Sequence, residues 1–194
     1  MTHARPGRAD AATRTARASR TGRSTRAERS TRAARLAILV LEDEPEVREA
    51  LEADLTPFAD VARVEPAEDV PDAHAVLDEI ADDGDMLALV LADHRLPGPS
   101  GTDLLVELTG SGRFPHVRTV LVTGQADHAD TIRAVNEGGL DYYVAKPWNP
   151  DDLRAQVRHQ LTEFVLRSGT DPVPHLRVLD TERALEAVRQ RSEL

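Results

Sequence analysis

The chain has 194 residues, enough to bury one core of ordinary size and too few for two full domains joined by a linker. It has no cysteine, which excludes disulfides, thiolate metal sites and cysteine nucleophiles and suits a cytoplasmic location. The net charge of −10 is uneven: residues 1–35 hold ten Arg against only Asp10 and Glu28, so an acidic body carries a basic arm.

Residues 1–35 contain no Val, Ile, Leu, Phe, Tyr or Trp. With so little apolar surface to offset the entropy of ordering, they are expected to form a disordered Arg-rich arm. From Arg14 to Arg35 an arginine recurs at every third position, a spacing that winds around a helix instead of making one face. The arm also lacks the apolar face of a transit peptide. Three readings stay open: a solvated tail, an arm for nucleic acid or another polyanion, and a start codon placed too far upstream.

From Leu36 onward, short apolar runs alternate with helical periodicity. The first strand is predicted over Leu36–Leu41, and a helix opens at Pro45 with Val47, Ala50, Leu51 and Leu55 on one face. A strand over Val61–Val64 leads to a helix over Asp72–Ala81 that would bury Val76, Leu77 and Ile80. The strand Met86–Ala92 follows, then a helix over Gly101–Leu108 and a strand over Thr119–Thr123. A helix over Asp130–Glu137 ends at Gly138-Gly139, before the strand Asp141–Ala145 and a longer helix over Asp151–Leu166. Such strict alternation predicts an α/β domain at 36–167, a five-stranded parallel sheet with helices on both faces.

Residues 168–194 read as a linker near Ser168–Pro174 and a short amphipathic helix, Asp180–Arg191, with Ala184, Leu185 and Val188 on one side. This tail is too short for an output domain and is expected to pack on the body. The apolar runs fall far short of the ~20 residues of a membrane-spanning helix, so no membrane span is expected. The seven His show no metal-ligand spacing and are read as surface residues, and Gly110-Ser111-Gly112 as a loop.

Ligands of parallel α/β sheets bind at the carboxyl ends of the strands, so the residues directly after each apolar run are informative. They are Glu42-Asp43-Glu44, Asp93, Thr123-Gly124 and Lys146-Pro147. Gathered carboxylates repel one another unless a cation is present, and Mg²⁺ prefers hard oxygen ligands while keeping room for a phosphate. A phosphoryl group on one carboxylate would be neutralised by the metal and by Lys146, the only lysine of the chain. Plainer readings exist for each residue alone. Asp93 is then an acidic loop residue, Glu42 and Asp43 strand-end charges favouring the next helix, Thr123 a turn residue, Tyr143 core filler and Trp148 an edge cap on the helix over Asp151–Leu166.

The segments Leu39-Val40-Leu41-Glu42-Asp43-Glu44-Pro45, Leu91-Ala92-Asp93-His94-Arg95-Leu96-Pro97-Gly98, Val122-Thr123-Gly124 and Tyr143-Val144-Ala145-Lys146-Pro147-Trp148 resemble the motifs of response-regulator receiver domains, in that family's order. The resemblance covers about residues 36–166 and implies a flavodoxin-like (βα)5 fold with strand order 2-1-3-4-5. It implies Asp93 as phosphoacceptor, Asp43 as a direct Mg²⁺ ligand, Glu42 as a ligand through water and Arg95 as a ligand by its backbone carbonyl. Thr123 and Lys146 would hold the phosphoryl oxygens, and Tyr143 would act with Thr123 as the switch. Arg95 and Gln125 stand at positions that tune phosphoryl lifetime in the family. Glu42 departs mildly from it, since Asp is commoner there, and so does Gly124.

The implied function is that of a stand-alone, CheY-like receiver, phosphorylated by a sensor histidine kinase or phosphotransfer protein and signalling through an unidentified downstream protein. It is not an independent enzyme, since its only chemistry is self-phosphorylation and autodephosphorylation. The alternative is a regulator that binds nucleic acid or another polyanion through residues 1–35, where an Arg arm gives salt-sensitive affinity. A scaffold that is never phosphorylated is disfavoured by the complete set of site residues, and a metabolic enzyme by the lack of any substrate-binding feature.

Overall fold

The computed structural model of the chain describes residues 34–124 and 139–192. Strands β1 (Leu36–Leu41), β2 (Ala62–Ala67), β3 (Met86–Ala92), β4 (Arg118–Thr123) and β5 (Tyr142–Ala145) form one parallel sheet in the order β2-β1-β3-β4-β5. Helices α1 (Pro45–Leu55), α2 (Val70–Asp82) and α3 (Gly101–Ser111) fill the first three connections, and α4 (Pro150–Ser168) and α5 (Thr181–Ser192) follow β5. This is the flavodoxin-like arrangement expected from the strand pattern and the motifs. The expected helix at 130–137, Gln125 and the arm through residue 33 lie outside the described residues.

Strands β1 and β3 are apolar along their whole length because both faces are covered. Successive side chains point to opposite faces, so Leu36, Ile38 and Val40 pack with Leu51, Leu55, Leu153, Val157 and Leu161 of α1 and α4. Ala37, Leu39 and Leu41 pack with Val76, Leu77 and Ile80 of α2 and Leu104 and Leu105 of α3. Two apolar layers thus sandwich the sheet, and polar residues are free to gather only at its ends.

Caps place the helix ends where periodicity alone could not. Asp69 accepts the Asp72 N–H at 2.7 Å, so α2 begins at Val70 with Pro71 in its first turn, earlier than the predicted Asp72. Ser100 and Asp103 form a reciprocal capping box at the start of α3, which runs on to Ser111, so Gly110 and Ser111 are helical and Gly112, at φ 65°, ends the helix. Asn149 caps α4 through the Asp151 and Asp152 N–H groups. In α1 only Leu51 and Leu55 are buried, while Ala50, expected on the same face, is exposed. Strand β2 runs to Ala67 instead of stopping at Val64, since even Pro66 keeps register with Val40, which an edge strand permits.

The C-terminal residues share the core of the body. A 3₁₀ turn over Val173–Val178 begins at the end of the expected linker, and Val178, Leu179 and Ala184 are buried in the layer that holds α1 and α4. The Asp180 N–H donates to Thr162 Oγ1 at 2.8 Å and Arg183 pairs with Glu163 at 2.5 Å, which fixes the rotation of α5. Ala184 therefore faces inward while Leu185, expected on the buried side, is 39% exposed. His175 corrects the expectation of surface histidines: the 3₁₀ turn carries it inward to 6% exposure. Its Nδ1 has no hydrogen-bond partner among the described residues. No helix among the described residues is long and apolar enough to cross a membrane.

Burial pushes the His175 imidazole below its ordinary value of 6.5, and the charge of Asp171 offsets only part of this. Burial alone would raise the Glu163 carboxyl above 4.5, but the Arg183 hydrogen bond and the charges of Arg183, His159 and Arg167 outweigh it and hold the group lower. In both cases the folded chain binds the proton less readily than the unfolded chain, so stability is lost on acidification. Urea midpoints followed downward in pH should fall first below about 6.5, through His175, and again below about 4.5, through Glu163. His175→Leu should flatten the first limb and Glu163→Gln the second.

Candidate functional site

Strand pairing continues one residue past β1, β3 and β5, and this brings the polar residues together. The Glu42 N–H donates to Ala67 O at 3.0 Å, Asp93 N–H to Leu41 O at 2.9 Å and Lys146 N–H to Thr123 O at 3.1 Å. Glu42 is wholly buried and Asp93 is 6% exposed, while Asp43 and Lys146 are half-buried. Glu42, Asp43 and Asp93 each present a carboxylate oxygen within 4.8 Å of the other two. The Lys146 ammonium reaches across from β5 to donate to Glu42 Oε2 at 2.6 Å and to Asp93 Oδ2 at 2.8 Å.

Three carboxylates against one ammonium leave the pocket short of positive charge. Burial is the largest influence on Glu42 and raises its proton affinity, and the charge of Asp93 adds to it. The bond and charge of Lys146 and the Glu44 N–H oppose this without cancelling it. Burial alone would lower the Lys146 ammonium, but its bonds to Asp93 and Glu42 and their charges raise it, so the lysine stays charged. A hard divalent cation fits such a set, because it would supply the missing charge where Glu42, Asp43 and Asp93 gather their carboxylate oxygens.

The remaining predicted residues border this cluster. Exposed Arg95 donates its backbone N–H to Asp93 Oδ1 at 3.3 Å, so the loop after β3 turns back over the carboxylate. Thr123 is 2% exposed at the end of β4. The Tyr143 hydroxyl donates to the Thr123 backbone carbonyl at 3.2 Å, joining the two residues through the main chain.

Three other residues shape the site without any motif to mark them. A Cβ on Gly101 would fall 1.9 Å from the Asp93 carbonyl oxygen, so only glycine lets α3 start against the end of β3. Arg48 Nη1 donates to the Glu42 carbonyl at 2.6 Å and, more weakly, to that of Asp43 at 3.4 Å, bracing the acidic turn from the first turns of α1. Asp54 accepts the Trp148 indole N–H at 2.8 Å, so this ring is tied to α1 as well as to the start of α4. The Pro-Gly turn after Asp93 hints at a close approach, whereas nothing local marks Arg48 or Asp54.

Gly101→Ala should cost about 1–3 kcal/mol of stability, as overpacking does, and should displace Asp93. A thermal melt gives the first effect, and a shift of the Asp93 amide resonance well beyond that of Gly110→Ala, where a Cβ meets open space, gives the second.

The family model described as "Response regulator receiver domain" matches residues 38–158. The hydrogenase transcriptional regulatory protein HoxA of Cupriavidus necator is 31% identical over 155 residues, which are 80% of this chain and 29% of HoxA. The transcriptional regulatory protein AruR of Pseudomonas aeruginosa is 39% identical over 123 residues, 63% of this chain and 48% of AruR. Among solved structures, a CheY-like response regulator receiver domain protein from Methanospirillum hungatei is 25% identical with a TM-score of 0.54, covering 68% of this chain and 97% of that one. The chain thus spans half or less of these two curated relatives.

Proposed function

Since the chain belongs to the response-regulator receiver domain family, whose members serve phosphorylation-dependent two-component signalling, we propose that Asp93 is the residue that accepts the phosphoryl group. The observation that carries this is the position of its carboxylate, bonded to Lys146 at 2.8 Å and clustered with Glu42 and Asp43 at the carboxyl edge of the sheet.

The donor is a phosphohistidine on a sensor histidine kinase or phosphotransfer protein. An Asp93 oxygen attacks phosphorus, the O–P bond forms as the P–N bond breaks, and the imidazole leaves. The chain's own part is positioning and charge compensation. Lys146 holds Asp93 in place before transfer and pairs with a phosphoryl oxygen after it. The Thr123 hydroxyl donates to a second oxygen. Asp43 would hold Mg²⁺ directly, together with Asp93 and the Arg95 backbone carbonyl, and Glu42 would hold it through water. When bound, Mg²⁺ supplies the positive charge that lets a phosphoryl group approach three carboxylates.

Transfer changes what Lys146 and Thr123 hold at the ends of β5 and β4. Tyr143, tied to Thr123 through its carbonyl, carries that change to the outer surface of β5, where a downstream protein binds. Members of the family are regulators and not metabolic enzymes, and this chain's output is protein binding.

Incubation with acetyl phosphate should add the mass of one phosphoryl group when Mg²⁺ is present and none when it is chelated. Asp93→Asn should take no label, with the fold kept as judged by circular dichroism. Label that persists in this variant would place the acceptor on another residue, and label without a divalent ion would remove Mg²⁺ from the reaction.

A further inference from the structure

Asp54, near the end of α1, is only 15% exposed and holds two partners from the other side of the site. One carboxylate oxygen accepts the Trp148 indole N–H at 2.8 Å and the other accepts Arg154 Nη2 at 3.0 Å. Arg154 Nε also donates to the Asp54 main-chain carbonyl at 3.1 Å. These bonds span about a hundred residues of sequence and join the segments that leave the two halves of the charge cluster. Helix α1 follows Glu42-Asp43-Glu44 directly, and α4 follows Lys146-Pro147-Trp148-Asn149.

The sheet alone ties these halves only indirectly. Strands β1 and β5 are separated by β3 and β4, so main-chain pairing connects Glu42 to Lys146 only through two intervening strands. The Lys146 main chain is held to Thr123, but its four-carbon side chain must still span that gap. A direct bond from α1 to the residue two places after Lys146 removes freedom that the sheet leaves.

We infer that Asp54 is a positioning residue that acts through Trp148 to set the reach of the Lys146 ammonium toward Glu42 and Asp93. The inference rests on the reading of Asp93 as phosphoacceptor. Misplacing a positioned charge slows transfer without unfolding the protein. The indole contributes its N–H donor here, and a phenyl ring fills similar space without one.

The test uses the full chain, with acetyl phosphate and Mg²⁺, and follows the labelling rate by intact mass alongside the thermal midpoint. Asp54→Ala and Trp148→Phe should each label roughly three- to tenfold more slowly, and the double variant no more slowly than either. Asp54→Asn retains a carbonyl oxygen for the indole N–H and should restore most of the rate. Arg158→Ala serves as control. Its guanidinium bonds the carbonyls of Arg177 and Leu179 from the same helix, and its loss should lower the midpoint and leave the rate unchanged. Wild-type rates in Asp54→Ala and Trp148→Phe, multiplying losses in the double variant, or an equal slowing in Arg158→Ala would each overturn the inference. A wild-type chain that takes no label would instead overturn the phosphoacceptor reading beneath it.

Discussion

One ammonium group between two buried carboxylates organises this end of the molecule. Glu42 has no contact with solvent and Asp93 almost none, yet both stand where apolar strands end. An ionised carboxylate so placed is costly unless it is paired and hydrogen-bonded. Lys146 pairs with both at once. Breaking one partner of such a group leaves the others repelling, so the lysine and its two acids form a unit whose members cannot be weighed separately.

The fold makes room for this unit by keeping the two central strands β1 and β3 dry. Alternation along the central strands sends apolar side chains to both helical layers, which leaves the strand ends as the places where charges can meet. Helix α3 helps by starting against the Asp93 carbonyl, at a distance only Gly101 allows. Arg48 braces the Glu42 and Asp43 carbonyls from α1.

Much of this was legible in the sequence, for identifiable reasons. The buried strands β1 and β3 are unbroken apolar runs, so they stand at their predicted limits, and the residues after them include the three carboxylates that the fold gathers. Helix starts were less visible because caps move them, as Asp69 does for α2. Strand β2 extends beyond its apolar run, and its partly polar sequence and its proline look unlike a strand until paired with β1. His175 and Leu185 exchanged their expected environments, since a short amphipathic stretch does not reveal which way a turn will rotate it. The Asp54 and Trp148 pair lay beyond reach for a different reason: their separation in the chain leaves no local pattern.

Pro66 gives the outer border of the sheet a further property. Because Ala67 turns its carbonyl toward Glu42, alternation turns the backbone of Pro66 outward, where an amide hydrogen would otherwise await a partner. Beside it on the same strand, Arg63 is engaged with Glu65 and Asp83. A foreign strand seeking to add itself there would meet a missing donor and a knot of fixed charges. This border is therefore a poor template for self-assembly by strand addition.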